Sequence, residues 1–245
     1  SHGGGSYNLQ VVTANHDALR AFRFSAAQIV RMASHDGGSI NLQAVTANHD
    51  ALKALGLSAE QIVRIVSHNG GSRNLQAVIN NYTTLKALGF SVEKMVRMVS
   101  HKGGSKNLQR VTNNYTALKG LGFNAEQVVR MVSHNGGSYN LQAVTGNCSA
   151  LKEFGFSSAQ IVWMVSHDGG ANNLQAVTEG YAALSEVWSR ECIASITSRK
   201  GGHRQIYQEL KKIDAASALV SLWPEIDTDI VNGVSIESCA GSFRP

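Results

Sequence analysis

A five-residue motif, Ser-His-x-Gly-Gly, recurs in this chain at a constant spacing of 33 residues. Only the residue that follows the histidine changes from copy to copy. Self-similarity at a period of about 20 to 50 residues is typical of repeat arrays. The period therefore overrides the chain length of 245 residues, which alone would suggest one or two globular domains. The histidines of the six copies are His2, His35, His68, His101, His134 and His167.

The period divides the chain into repeat units. Residues 1–23 correspond to the end of a repeat, so we expect upstream sequence to be missing. Residues 188–214 form a degenerate repeat, and residues 215–245 are predicted to be a helical cap and a polar tail, because repeat arrays need capped ends. Five tandem repeats occupy residues 24–56, 57–89, 90–122, 123–155 and 156–187.

Each repeat is predicted to contain two α-helices joined by the Gly-Gly loop. In repeat 57–89, Ser58 and Gln61 have the spacing of a capping box, which predicts a helix over about 60–67. The paired glycines end that helix, and a second helix over about 72–88 carries its apolar residues on one stripe. One such helix pair cannot bury its apolar face alone, whereas stacked copies share a core. The sequence therefore predicts an all-α solenoid.

Composition narrows the classes of function. The net charge of +5 and the pI of about 9.2 favour an anionic partner. Three cysteines at unrelated positions argue against a disulfide framework and for a reducing compartment. No apolar run is long enough for a membrane span. No Ser/His/Asp, Cys/His or paired-carboxylate set recurs, so we expect no enzyme activity, no cofactor and no small-molecule substrate.

The variable residue of each loop has a side chain suited to a base edge of duplex DNA. Aspartate can accept a hydrogen bond from the N4 amino group of cytosine, and asparagine can donate to a purine N7. Lysine can donate to guanine, and glycine leaves room for the methyl group of thymine. The predicted base-reading residues are Gly3, Asp36, Asn69, Lys102, Asn135 and Asp168.

The rest of the loop offers candidate phosphate contacts. Glycine amides at a helix start can approach an anion closely, and an arginine one turn before each loop histidine predicts a basic stripe that Trp163 interrupts. The predicted glycine contacts are Gly37, Gly38, Gly70, Gly71, Gly103, Gly104, Gly136, Gly137, Gly169 and Gly170. The predicted basic contacts are Arg31, Arg64, Arg97, Arg130, Arg73 and Lys106.

This motif and its period resemble the repeat region of transcription activator-like (TAL) effectors, and more closely the TALE-like proteins of Burkholderia and marine bacteria. The resemblance covers residues 1–187 strongly and the degenerate repeat weakly. It implies a right-handed superhelix, bacterial in origin, that reads one base per repeat in the major groove, with the N-terminus towards the 5′ end. The implied order is T-C-G/A-G-G/A-C. The resemblance also implies that the six loop histidines brace their loops by hydrogen bonds to the first helix, and that the protein acts in the bacterial cytoplasm or a host nucleus.

Two departures from the family pattern affect the expected geometry. The proline that kinks the second helix in TAL effectors is replaced here, and Ser-x follows the glycines instead of Lys-Gln. The pitch and the phosphate contacts are therefore expected to differ. The residues in place of the proline are Asp50, Thr83, Thr116 and Ser149.

Two other binding functions remain open. A single-stranded RNA reader would follow the same logic, but it needs stacking side chains beside the reading residue, and no aromatic residue repeats there. A protein-binding helical scaffold would not confine its variation to one loop residue. A metal site is not expected, because one histidine per repeat places successive ligands too far apart. The preferred hypothesis is a monomer that binds double-stranded DNA.

Overall fold

The structure, a computed structural model, describes residues 5–35, 37–101, 103–134, 136–167, 169–199 and 201–222, with side chains from residue 8 to residue 215. Over these residues the chain is all-helical. The helices are α1 (Gly5–Ala14), α2 (His16–Ala21), α3 (Ala26–Ser34), α4 (Gly38–Ala47), α5 (His49–Ala54), α6 (Ala59–Val66), α7 (Gly71–Ala87), α8 (Val92–Val99), α9 (Ser105–Gly120), α10 (Ala125–Val132), α11 (Ser138–Glu153), α12 (Ser158–Val165), α13 (Ala171–Val187), α14 (Arg190–Thr197) and α15 (Gly202–Leu222).

The two-helix repeat is confirmed. In repeat 57–89, α6 and α7 each begin and end within one residue of the prediction. The capping box at Ser58 and Gln61 forms in both directions, so two amide groups at the helix start are satisfied. Gly89 follows α7 with a φ of +87°, a backbone conformation that commonly ends helices.

The apolar stripes form one core that runs through successive repeats. Ile62 and Ile65 of α6 and Leu75 and Val78 of α7 are all fully buried. The first helices of neighbouring repeats pack on one another in chain order, from α3 through α6, α8, α10 and α12 to α14. The second helices do the same, from α7 through α9, α11 and α13 to α15. Each repeat therefore completes the core of its neighbours.

Position in the array decides whether a given apolar residue is buried. Leu108 in α9 is 0% exposed, whereas Leu9, at the same place in the first partial repeat, is 66% exposed. Val30 in α3 is 61% exposed, whereas its equivalent Val63 is 0% exposed. Both exposed residues lie on the side of the array that a preceding repeat covers elsewhere.

The second helix is interrupted in the first two repeats although no proline is present. Asn48 separates α4 from α5 with a φ of −104° and a ψ of 18°. Asn, His and Asp follow one another here and all have low helix propensity. The Asn48 side chain donates to the Ala44 carbonyl at 2.8 Å, but Asn81 makes the equivalent bond to Ala77 in the continuous helix α7, so this bond does not account for the break. Helix α7, where Asn-Tyr-Thr replaces Asn-His-Asp, is continuous.

The degenerate repeat keeps the two-helix pattern. Ser189 caps α14, and Ile193 and Ile196 are buried. The predicted helical cap starting at Ala215 is not a separate element, because α15 continues without a break to Leu222. The polar tail lies outside the described residues.

The cysteines differ in state. Cys148 is a free thiol, fully buried in the core, and burial raises its pKa. Cys192 is half-buried and forms a disulfide bond, which the argument against a disulfide framework did not predict. None of the described helices is both long enough and apolar enough to cross a membrane.

Candidate nucleic-acid interface

The loop Ser67–Gly71, which joins α6 to α7, shows how the variable residue is presented. Ser67 is buried at 4% exposure, whereas His68, Asn69 and Gly70 are exposed. The Gly71 amide donates to the His68 carbonyl at 2.8 Å and closes the turn. Asn69 therefore lies at the outer tip of a tight loop, where a partner can reach it.

Asn69 is the one predicted base-reading residue that the structure describes. The others, together with the first loop histidine, lie outside the described residues; they are Gly3, Asp36, Lys102, Asn135, Asp168 and His2.

The bracing role implied for the loop histidines is visible at one of them. His167 Nδ1 lies 2.8 Å from the carbonyl of Trp163, one turn earlier in α12, and donates to it. The other described loop histidines form no such bond with the described part of the chain; they are His35, His68, His101 and His134.

A row of asparagines, absent from the predictions made on sequence, holds the loops instead. We call it the asparagine row. Each member lies three residues after the second glycine and repeats at the same period of 33 as the histidine, which is the signal that identifies it. The row consists of Asn8, Asn41, Asn74, Asn107, Asn140 and Asn173.

Each asparagine of the row links two repeats. Asn74 Nδ2 donates to the Asn69 carbonyl of its own loop at 3.0 Å and to the Val99 carbonyl of the next repeat at 3.4 Å. Its Oδ1 accepts from the amide of Ser105, 2.9 Å away, at the start of α9. Asn74 is 1% exposed, and these bonds satisfy its buried amide.

The two glycines of the loop before α9 leave space for these asparagines. A Cβ atom on Gly103 would collide with Oδ1 of Asn107 in the same repeat. A Cβ on Gly104 would collide with Oδ1 of Asn74 in the preceding repeat. Both glycines also have positive φ, +107° and +46°. The glycine pair is thus required by the packing of the loop itself.

The loop geometry divides the predicted phosphate contacts into two groups. The amide of the second glycine is already used, since Gly104 donates to the His101 carbonyl at 3.0 Å, and the same bond recurs at Gly38, Gly71, Gly137 and Gly170. The amide of the first glycine makes no hydrogen bond to any described residue. The first glycines are Gly37, Gly70, Gly103, Gly136 and Gly169.

The predicted basic stripe is a series of ion pairs between repeats. Arg64 lies 2.8 Å from Glu93 of the next repeat, and Arg97 lies 2.9 Å from Glu126. Arg31 is more loosely placed, 3.9 Å from Glu60. Phosphate binding by these arginines stays a prediction, and each would have to leave its glutamate to do it.

The series of ion pairs between repeats does not continue to the last arginine, Arg130. The repeat after Arg130 has Ala159 where the three repeats before it have glutamate, and Trp163 where the four repeats before it have arginine. The guanidinium of Arg130 lies over the Trp163 ring, 5.2 Å from the ring centroid. A cation–π contact thus replaces the ion pair at this junction.

Two predicted cations remain outside these pairs. Arg73 and Lys106 lie at the starts of α7 and α9, immediately beside the loops, and both are exposed. Neither forms an ion pair with a described residue. A polyanion can therefore reach both of these charges without displacing a partner among the described residues.

Burial lowers the pKa of the loop histidines His68, His101 and His134 below the ordinary value of 6.5. Nearby arginines and neighbouring loop histidines lower the pKa of His68 and His134 further.

These shifts predict that stability falls in mild acid. The unfolded chain takes up protons on these histidines below about pH 6.5, whereas the folded protein resists protonation until lower pH. Stability is therefore full above pH 6.5 and decreases from there towards the lowered pKa values. Thermal unfolding between pH 7.5 and 5 should show a falling Tm, and the drop should shrink when all three histidines are changed to glutamine. The same change at the exposed His16 is the control. A Tm that holds steady or rises on acidification would contradict the expectation.

Among the described residues, no three His, Cys, Asp or Glu side chains come together in a way that could hold a metal ion. No protein-family model matches the chain, and no curated protein matches it.

Proposed function

We propose that the chain is a right-handed α-solenoid that binds double-stranded DNA sequence-specifically, with one base read per repeat. The observation that carries the proposal is variation confined to a single loop residue within an otherwise fixed frame. We propose a monomeric binding protein without catalytic activity, similar in role to the TALE-like repeats that the motif resembles.

The described loop supports this function in two ways. Asn69 is exposed at a loop tip, so its amide is free to meet a base edge. Asn41 bonds the backbone on both sides of this loop and Asn74 bonds the Asn69 carbonyl, so the backbone is held while the side chain at position 69 is left to vary. We propose that phosphate is met by the first-glycine amides, by Arg73 and by Lys106.

Asp36→Asn is expected to change the preferred base at one position from cytosine towards purines. An ionised carboxylate has only acceptors, so it pairs with the N4 amino group and repels the guanine O6 and N7, whereas the asparagine amide can donate to N7. The expected discrimination is about 1–3 kcal/mol. A binding series on duplexes with each of the four bases at that position measures it.

Asp168 provides the internal control, since its preference should stay with cytosine when Asp36 is changed; sites this far apart behave independently. Equal affinity for cytosine and guanine in the unmodified protein would reject the reading of one base per repeat. Tighter binding to single-stranded RNA of matching sequence than to the duplex would favour an RNA reader instead.

Arg73→Ala is expected to reduce the slope of log K against log salt by about one, because a phosphate that the protein no longer neutralises keeps its condensed counterion. Arg64→Ala is the matched comparison, and its effect on the slope should be smaller because Glu93 holds its guanidinium. A reduction by a full unit at Arg64 and none at Arg73 would reverse the assignment.

A further inference from the structure

Four members of the asparagine row bond both ends of the loop of the following repeat, and they are Asn41, Asn74, Asn140 and Asn173. The described bonds of Asn8 and Asn107 to the following repeat reach the carbonyl before its loop. Asn140 Nδ2 donates at 3.0 Å to the carbonyl of Val165, the last residue of α12 before the next loop. Its Oδ1 accepts at 3.1 Å from the amide of Ala171, the first residue after that loop. A third bond, 3.1 Å long, joins Nδ2 to the Met131 carbonyl in its own repeat.

The same grip recurs along the array. Asn41 contacts the Val66 carbonyl and the Ser72 amide, on either side of the loop that carries Asn69. Asn173 contacts the Thr197 carbonyl and the His203 amide in the same way. In the degenerate repeat, Gln205 takes the equivalent place, three residues after Gly202.

These bonds satisfy the backbone groups at the two helix ends that flank the loop. The carbonyls at a helix C-terminus and the amides at a helix N-terminus have no partners within their own helices. Here both groups are satisfied by a side chain of the preceding repeat. The loop that carries Asn69 is therefore held both by Asn74 of its own repeat and, at its two ends, by Asn41 of the preceding repeat.

We infer that the asparagine row consists of positioning residues, each of which sets where the base-reading residue of the following repeat stands. This inference rests on the proposed DNA-binding function. The base preference of one repeat then depends partly on the preceding repeat, because Asn140 contacts no base itself but holds the loop that carries Asp168.

The test compares two substitutions in α11 of the full chain, Asn140→Ala and Asn147→Ala. Among the described residues, Asn147 Nδ2 bonds only within its own helix, to the Ala143 carbonyl at 2.9 Å, so it matches Asn140 in chemistry but does not link repeats. Two quantities are measured for each: amide hydrogen exchange in the free protein, and the preference for cytosine over guanine at the duplex positions assigned to Asp168 and Asp36.

For Asn140→Ala we expect the Ala171 amide to exchange about tenfold faster, the effect of removing one buried hydrogen bond. The His203 amide, held by Asn173, should keep its protection. The cytosine preference at the Asp168 position should fall by about fivefold or more, while that at the Asp36 position holds. Asn147→Ala should leave both exchange rates and both cytosine preferences unchanged.

Hydrogen exchange and base preference together distinguish a failure of this inference from a failure of the proposed DNA-binding function. Unchanged exchange at Ala171 would overturn the inference whatever the DNA results. Faster exchange with an unchanged cytosine preference would reduce Asn140 to a purely structural role and also overturn it. If the unmodified protein shows no sequence preference at all, the proposed function fails, while the exchange result still decides whether the loops are coupled.

A second variant covers the case in which Asn140→Ala does not fold. Asn8 is half-buried at the end of the array and donates to the Ala33 carbonyl at 3.1 Å, just before the loop that carries Asp36. Asn8→Ala should therefore lower the cytosine preference at the Asp36 position and spare that at the Asp168 position, the reverse of the first variant. The same pattern of loss in both variants would contradict the inference.

Discussion

Gly104→Ala is expected to lower the free energy of unfolding by about 3–5 kcal/mol, the combined effect of backbone strain and broken buried hydrogen bonds. Gly104 has a φ of +46°, which L-residues rarely adopt. An added Cβ would also collide with Oδ1 of Asn74, and it would lie 3.3 Å from the Asn69 carbonyl. Asn74 would have to give up its bond to the Ser105 amide, so the change breaks a contact between repeats as well as straining one residue.

Gly146→Ala is the matched control. Gly146 lies inside α11, and a Cβ there would meet nothing within 4 Å. Because alanine loses less conformational freedom than glycine on entering a helix, we expect a gain of about 0.5–1 kcal/mol. Urea unfolding of both variants measures the difference. A cost below about 1 kcal/mol at Gly104 would show that the loop tolerates a side chain and that the asparagine grip is weak.

Leu108→Ala is expected to cost about 2–5 kcal/mol, whereas Leu9→Ala should cost less than about 0.5 kcal/mol. The two leucines hold the same place in the repeat and undergo the same change. Leu108 is 0% exposed between neighbouring repeats, and Leu9 is 66% exposed on a side that nothing covers among the described residues. The contrast isolates the contribution of the neighbouring repeat from that of the residue type.

Equilibrium unfolding of the two leucine variants measures this contrast. Similar losses of stability at both positions would mean that the exposed side at Leu9 is covered in solution, and the view that each repeat is stabilised mainly by its neighbours would need revision there. A small loss at both would mean that the leucine stripe contributes little to the core.

The helices were predictable because their signals are local. The capping boxes at Ser25, Ser58, Asn124 and Ser157 all form where the Ser-x-x-Gln spacing, or its Asn variant, predicts them. The break at Asn48 was not predicted, because it results from a run of weak helix formers and not from a proline or glycine.

The contacts between repeats were not predictable in the same way. Arg64 and Glu93 are 29 residues apart, and no local pattern indicates that they meet. From the sequence, the arginines therefore suggested an open basic stripe. The glycine pair had a plausible role in phosphate binding, but its packing against Asn74 and Asn107 depends on the distance between stacked repeats. The base preference of each loop remains a prediction from side-chain chemistry.

The contact between Arg130 and Trp163 means that the repeats are not interchangeable modules. Repeat 156–187 carries Ala159 and Trp163. This pair suits a position directly after a repeat whose arginine packs on the indole ring and so does not need a glutamate partner. If that repeat were moved ahead of repeat 57–89, Glu60 would face an indole ring where it now faces Arg31. Under the proposed function, rearranging such an array to read a new sequence would therefore require matching the junction residues as well as choosing the loop residues.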